Sequence, residues 1–195
     1  MALAAVELNG RFAALRPLEQ SDKTALVEAG RDGDVCQSRV TTIPSLDTVD
    51  DYVATALSQR ALGNALPFVI IRNSDQRVVG CTRFFDYFDK HRRLEIGYTW
   101  MGKSAQRTAI NTEIKFMMMR HAFEVWQCFR VQFLTDVLNT QSRNAIERLG
   151  AIEEGVLRGH MQMPDGRVRD SVCYSILATD WPKISQRLSA RLERD

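Results

Sequence analysis

The stretch Leu94–Ala122, LEIGYTWMGKSAQRTAINTEIKFMMMRHA, decides the fold. Its first residues alternate, with Leu94, Ile96, Tyr98 and Trp100 on one side and Glu95, Gly97 and Thr99 on the other, the period of a half-buried strand. From Ile110 the spacing changes. Ile110, Ile114, Met117, Met118, His121, Ala122 and Val125 recur at three- and four-residue intervals, along one face of a helix. The polar, basic loop between them, Gly102 to Asn111, delivers the backbone to a helix start whose first N–H groups lack partners. Such a loop, at the positive end of a helix dipole, is an anion site, with phosphate as the foremost ligand.

Working outward, Asn9-Gly10 is a tight-turn dipeptide between strand material at Ala4–Leu8 and Arg11–Arg16. Ser21 or Asp22 caps a helix to about Ala29. Ser45 or Thr48 starts a second, with Val49, Val53, Ala56 and Leu57 as its stripe and Gly63 as its stop. Asp34 to Pro44 is irregular. Leu66–Arg72, the turn at 73–76 and Arg77–Phe85 form a hairpin, to which Leu94–Trp100 adds a strand. The central helix runs to roughly Trp126. Val131–Leu138 returns as a strand, and a strand, helix, strand unit of this kind favours a parallel pair with a right-handed crossover. A short helix from Arg143 ends at Gly150. Val156–Met163, the turn Met163-Pro164-Asp165-Gly166 and Val168–Leu177 make a final hairpin. Thr179 or Asp180 caps a last helix with Ile184, Leu188 and Leu192 facing inward.

At 195 residues the chain is expected to form one domain, residues 1–195, with a sizeable core. A net charge of +2, with acids and bases mixed, argues against a nucleic-acid binder, and Lys90-His91-Arg92-Arg93 reads as a solvated turn. Cys36, Cys81, Cys128 and Cys173 form no C-x-x-C pair, the last three in apolar surroundings, and no zinc or other metal site is expected. No run approaches the roughly 20 apolar residues of a membrane span, and a cytoplasmic protein is expected.

GYTWMGKSAQRTAINTE resembles the central motif of the GNAT superfamily of N-acetyltransferases, in which a strand ends in a Q/R-x-x-G-x-G/A loop around the pyrophosphate of acetyl-coenzyme A. Gln106, Ala109 and Asn111 occupy its positions. A second segment, Asn139-Thr140-Gln141-Ser142-Arg143-Asn144-Ala145 followed by Ile146 to Gly150, resembles the N-x-x-S-x-x-A/V…G motif of the RimJ/RimL-like branch, which acetylates N-terminal and small amines. The resemblance covers nearly the whole chain. It implies an α/β (α+β) fold, a mixed, mostly antiparallel sheet flanked by helices, whose one parallel strand pair splays apart to admit the pantetheine arm. It also implies acetyl-coenzyme A as co-substrate, an amine acceptor bounded by the irregular segment after the first helix, no metal, and often a homodimer. The acceptor stays open between a protein N-terminus, an amino acid or dipeptide, a polyamine and an aminated antibiotic.

Acyl transfer from a thioester to an amine needs the amine proton removed, charge on the carbonyl oxygen stabilised and the departing thiolate stabilised. The resemblance assigns the carbonyl to a main-chain N–H in Tyr98, Thr99 or Trp100; the aromatic rings there read as ordinary core. Most GNAT enzymes place a tyrosine four residues before the glycine closing the short helix, where this chain has Ile146. Ser142 takes its place as the thiolate's partner, in competition with a capping role for the helix at Arg143. Asn139 is placed to bond the pantetheine amides or to turn the chain. Glu95, in an E-I-G-Y pattern of the branch, is the candidate base, or else a solvated or ion-paired strand residue. Gln106, Arg107, Thr108, Ala109, Ile110, Asn111 and Thr112 are the phosphate-loop candidates, with Arg143 and Lys103 able to reach phosphates or to stand as surface charges. Glu113 is expected to point away from the phosphates, and His121 to be core. The competing reading is a non-catalytic GNAT-fold sensor of acyl-coenzyme A or interaction module, favoured by Ala109, Asn111 and Ile146.

Overall fold

A computed structural model describes residues 5–163 and 165–194. Ala4 of the expected first strand and Pro164 of the last turn lie outside them. Within them one mixed sheet runs in the order β1 (Leu8–Asn9), β2 (Ala13–Pro17), β3 (Ala65–Arg72), β4 (Arg77–Phe88), β5 (Arg93–Met101), β6 (Arg130–Asp136), β8 (Val168–Leu177) and β7 (Ile152–Gln162). Every neighbouring pair is antiparallel except β5 and β6. Helices α1 (Lys23–Arg31) and α2 (Val49–Ala61) bury Leu26, Val27, Val53 and Ala56 with Val69, Cys81 and Trp100 on one face of the sheet. On the other, α3 (Ile110–Arg120), α4 (Thr140–Leu149) and α5 (Trp181–Leu192) cover Phe68, Ile70, Leu94, Ile96 and Phe133. Burial on both faces is why Leu66–Arg72 reads as an almost unbroken apolar run.

Two departures from the expected pattern shape the middle of the molecule. The alternation in β5 fails after Ile96: the β4–β5 register runs Arg83↔Gly97 and then Cys81↔Trp100, so two residues of β5, Tyr98 and Thr99, face one of β4. This bulge carries Trp100 into the α1/α2 core while Leu94 and Ile96 stay in the other. Tyr98 is therefore not core. It has φ +50° and is 41% exposed. The second departure is at the end of α3, which passes into a π-helical turn over His121–Val125. His121 there is half-buried, its ring 4.5 Å from Trp126 and 6.4 Å from Phe84, and burial holds its pKa below the ordinary value.

Glu113 does turn away from the helix start, to tie α3 to the chain's first turn. Its carboxylate accepts from the backbone N–H groups of Arg11 (2.7 Å), Phe12 (2.8 Å) and Ala13 (2.9 Å). Gly10 is required beside it, since a Cβ there would lie 2.4 Å from the carboxylate carbon. The four cysteines are free thiols, and Cys173 is half-buried against Arg130 and Glu154 instead of in apolar surroundings. Among the described residues no helix is long and apolar enough to cross a membrane.

Candidate active site

The β5–β6 ladder is short. Arg93, Leu94 and Glu95 pair with Arg130, Val131 and Gln132, and there it stops, although each strand continues against its outer neighbour. The bulge bends β5 away, and a cleft of about 2450 Å³ opens between the strands. Glu95, Gly97, Tyr98, Thr99 and Trp100 line it from β5, and Phe133, Leu134 and Thr135 from β6.

At one end lies the helix start. Gln106 braces the loop by donating to the Met101 carbonyl (2.9 Å), and Thr108 donates to that of Ala105 (2.8 Å) while accepting from Ile110 N–H (3.3 Å). Arg107 sits at φ +59°, reversing the chain onto α3. Among the described residues, no group accepts from the N–H of Arg107, Thr108, Ala109, Asn111 or Thr112. Gln106 and these five residues all line the cleft. A row of free amides ahead of an 11-residue helix fits a phosphate, so the residues present suit the coenzyme's pyrophosphate. Ile110, expected among the phosphate-loop residues, does not line the cleft: its N–H goes to Thr108 Oγ1 and its side chain is core.

In the middle, Glu95 is 4% exposed and accepts from Gln132 Nε2 at 3.2 Å. Burial pushes its pKa up to about 7, against the pull of that hydrogen bond. The solvated alternative for this residue falls away, and so does an ion pair within 4 Å among the described residues. Next to it the Tyr98 ring lies 4.0 Å under the Arg83 guanidinium and 5.0 Å from Phe85. Neither Tyr98 nor Thr99 has a place in the β4–β5 register, and both line the cleft.

Sequence reading missed Lys115. It is 5% exposed on α3 and lines the cleft, and its ammonium nitrogen reaches Thr99 Oγ1 (2.5 Å) and Thr82 Oγ1 (3.3 Å). Those hydroxyls are 2.8 Å apart. With no carboxylate beside it, burial lowers its pKa to about 7. Its sequence neighbours Ile114 and Phe116 gave no sign of this, because the hydroxyls it meets, Thr82 and Thr99, come from distant strands.

Across the cleft, Asn139 is the N-cap of α4, its side-chain oxygen accepting from Ser142 N–H at 3.0 Å. This removes the expected capping role of Ser142, which stands at the third helical position with its hydroxyl free of any partner among the described residues. Asn139, Ser142 and Ile146 all line the cleft. Arg143 does not: its guanidinium is held by Tyr174 Oη (3.1 Å) and Glu153 (3.3 Å). At the far end, Val35, Gln37, Ser38 and Val40–Ile43 face the β7–β8 hairpin. Arg167 straps the two walls together, donating to Arg39 O at 3.1 Å and to the buried Asp136 at 2.5 Å.

The acetyltransferase (GNAT) domain family matches residues 13–152. The chain belongs to this family. A curated relative, "Putative ribosomal N-acetyltransferase YdaF" of Bacillus subtilis, is 35% identical over 91 residues; the match spans 47% of this chain and 49% of that protein, so only about half the relative's length is covered. A solved structure from T. thermophilus, described as a "putative acetyltransferase", is 33% identical, with 98% of this chain and 100% of that one aligned at a TM-score of 0.86. The fold also matches Mycobacterium smegmatis RimJ in complex with CoA-disulfide, 23% identical, over 96% and 95% of the two chains at a TM-score of 0.81. In GNAT terms, the splayed β5–β6 pair and the loop before α3 stand where the sequence resemblance put them.

Proposed function

We propose that the protein is an N-acetyltransferase that moves an acetyl group from acetyl-coenzyme A to a primary amine by direct attack in a ternary complex. One observation carries this reading: a single cleft joins the unpartnered amides at the start of α3 to a buried carboxyl, Glu95, through the gap between β5 and β6. Pyrophosphate on Arg107–Thr112 would send the pantetheine arm along that gap and set the thioester beside the bulge.

The acceptor nitrogen attacks the thioester carbon, forming the C–N bond as C–S breaks. Glu95 takes the amine proton, directly or through water, and its pKa of about 7 suits a base working near neutrality. A main-chain N–H of the bulge, at Tyr98, Thr99 or Trp100, holds the carbonyl oxygen as it becomes negative. The free hydroxyl of Ser142 donates to the leaving thiolate, the task for which Ile146 offers no hydroxyl. Asn139 acts indirectly, by fixing the start of α4 that presents Ser142.

Calorimetric titration with acetyl-coenzyme A, coenzyme A and ATP tests the reading. Binding of both coenzymes but not ATP, followed by release of free thiol in an amine-acceptor screen, is expected. Binding with no turnover on any amine would favour a coenzyme sensor, and no binding would mean that Ala109 and Asn111 close the loop to phosphate.

A further inference from the structure

Arg169, on β8 opposite Met161 of β7, lines the cleft between its centre and the acceptor end. Its Nε is buried and has no hydrogen-bond partner, and its guanidinium makes no hydrogen bond or ion pair with any described residue. The acids that influence it most are Asp136 and Glu95. Both are otherwise engaged. Asp136 is fully buried and taken up by Arg167 and by Leu138 N–H (2.9 Å), while Glu95 accepts from Gln132 and holds a proton over much of the neutral range. Desolvation of the guanidinium holds its pKa below the ordinary value. A half-buried cation with an orphaned donor is costly in the free protein, and what relieves it best is a planar anion bound by two parallel N–H groups.

The anion is not the coenzyme's pyrophosphate, which is accounted for at the other end of the cleft by the loop before α3. Arg169 shares its surroundings with Glu95 and the Tyr98 hydroxyl instead. Resting on the transferase reading above, we infer that Arg169 binds a carboxylate of the acceptor, so that the substrate is an amine bearing a carboxylate a few atoms from the reacting nitrogen. An acceptor with only positive charges would be repelled by Arg169, and the pairing of one cation with one proton-accepting carboxyl matches the two ends of an amino acid. The carboxylate could be the α-carboxylate of a free amino acid or the side chain of an acidic residue at a peptide N-terminus.

The experiment uses the full chain saturated with coenzyme A. It is titrated with a panel of α-amino acids and their α-carboxamides, and with C-terminally amidated peptides beginning in Asp or Glu beside their Asn or Gln counterparts. At least one carboxylate ligand should bind roughly tenfold or more tightly than its carboxamide, as expected of hydrogen bonds to a charged group. Arg169→Gln should abolish that preference and Arg169→Lys restore part of it, both with unchanged affinity for coenzyme A. Which half of the panel responds separates the two sources. Carboxylate and carboxamide binding alike across the panel, a preference that survives Arg169→Gln, or a variant that loses coenzyme A instead, overturns the inference. Failure of the wild-type protein to bind coenzyme A at all would refute the transferase reading instead, and shows at the saturation step.

Discussion

Replacing Glu95 by glutamine separates what this residue costs from what it does. In the folded protein its carboxyl titrates at about 7 because burial disfavours the charged form; in the unfolded chain it returns to the ordinary 4.5. Between those values the folded state holds a proton that the unfolded state has lost, so stability falls as pH rises through the window, and the whole cost is present above pH 7. At about 1.4 kcal/mol per pH unit, the interval amounts to about 3 kcal/mol. Glutamine keeps the oxygen that accepts from Gln132 and never ionises. Glu95→Gln should therefore match the wild-type protein near pH 4.5 and exceed its stability by up to about 3 kcal/mol at pH 8, or roughly 6–12 °C in Tm for a domain of this size.

The assay is urea denaturation of both proteins from pH 4.5 to 8, with kcat/KM followed over the same range. Activity should move the opposite way. The wild-type rate should rise through pH 7 as the carboxylate forms, and Glu95→Gln should lose that limb together with about 10²–10⁴ of the rate. Parallel stability curves for the two proteins would show that Glu95 is not buried as a proton-holding acid. An unchanged pH–rate limb would remove it as the base and leave the acceptor's own ionisation as the source.

Lys115→Met tests the opposite sign. Between about 7 and the ordinary lysine value of 10.5 the unfolded chain holds the extra proton, so wild-type stability rises with pH there, and the full cost of burying the ammonium is borne below pH 7. The variant should be the more stable protein in denaturation at pH 6, with the gap closing towards pH 10. Glu113→Ala strands the three N–H groups of Arg11, Phe12 and Ala13 and should cost at least about 3 kcal/mol in the same assay, with coenzyme affinity by calorimetry little changed. Ser142→Ala should lower turnover more than coenzyme affinity and leave Tm nearly unchanged, because the cap belongs to Asn139; Asn139→Ala should lose about 1 kcal/mol of stability.

The loop before α3 and the sheet were legible because they rest on local signals: a period that changes from strand to helix, turn residues between apolar runs, and two motifs at fixed spacing. Tyr98 was misplaced for the opposite reason. A bulge adds one residue to one strand, and nothing in GYTW announces that Thr82 will face two residues; only pairing with β4 shows it. The face given to Trp100 inherited the error. Arg143 stands off the cleft lining because a motif fixes where a residue stands on a helix but not where a long side chain goes, and Glu153 and Tyr174 hold it. The Ser142 cap was one helical turn too late, a boundary error with a chemical consequence, since moving the helix start back to Asn139 frees the hydroxyl.

The bulge also explains why the buried ionisable groups collect where they do. A regular β5 would keep its side-chain alternation, and with it Thr99 would not stand where Lys115 reaches its hydroxyl. With the bulge in place, Glu95 sits just before it, Lys115 beneath it and Arg169 across the cleft from it, none of them ion-paired among the described residues. Each is costly to the folded protein, and a cleft serving only as a core defect would be filled with Leu or Met at those positions. An acid that titrates near 7 and two basic groups stand around one irregular turn of backbone, in the same cleft as the free amides before α3, and such a cluster of perturbed groups is where proton chemistry is expected. That is the physical argument for chemistry at this cleft over mere retention of coenzyme, and the pH slopes of Glu95→Gln and Lys115→Met, opposite in sign, measure it without requiring that the acceptor be known.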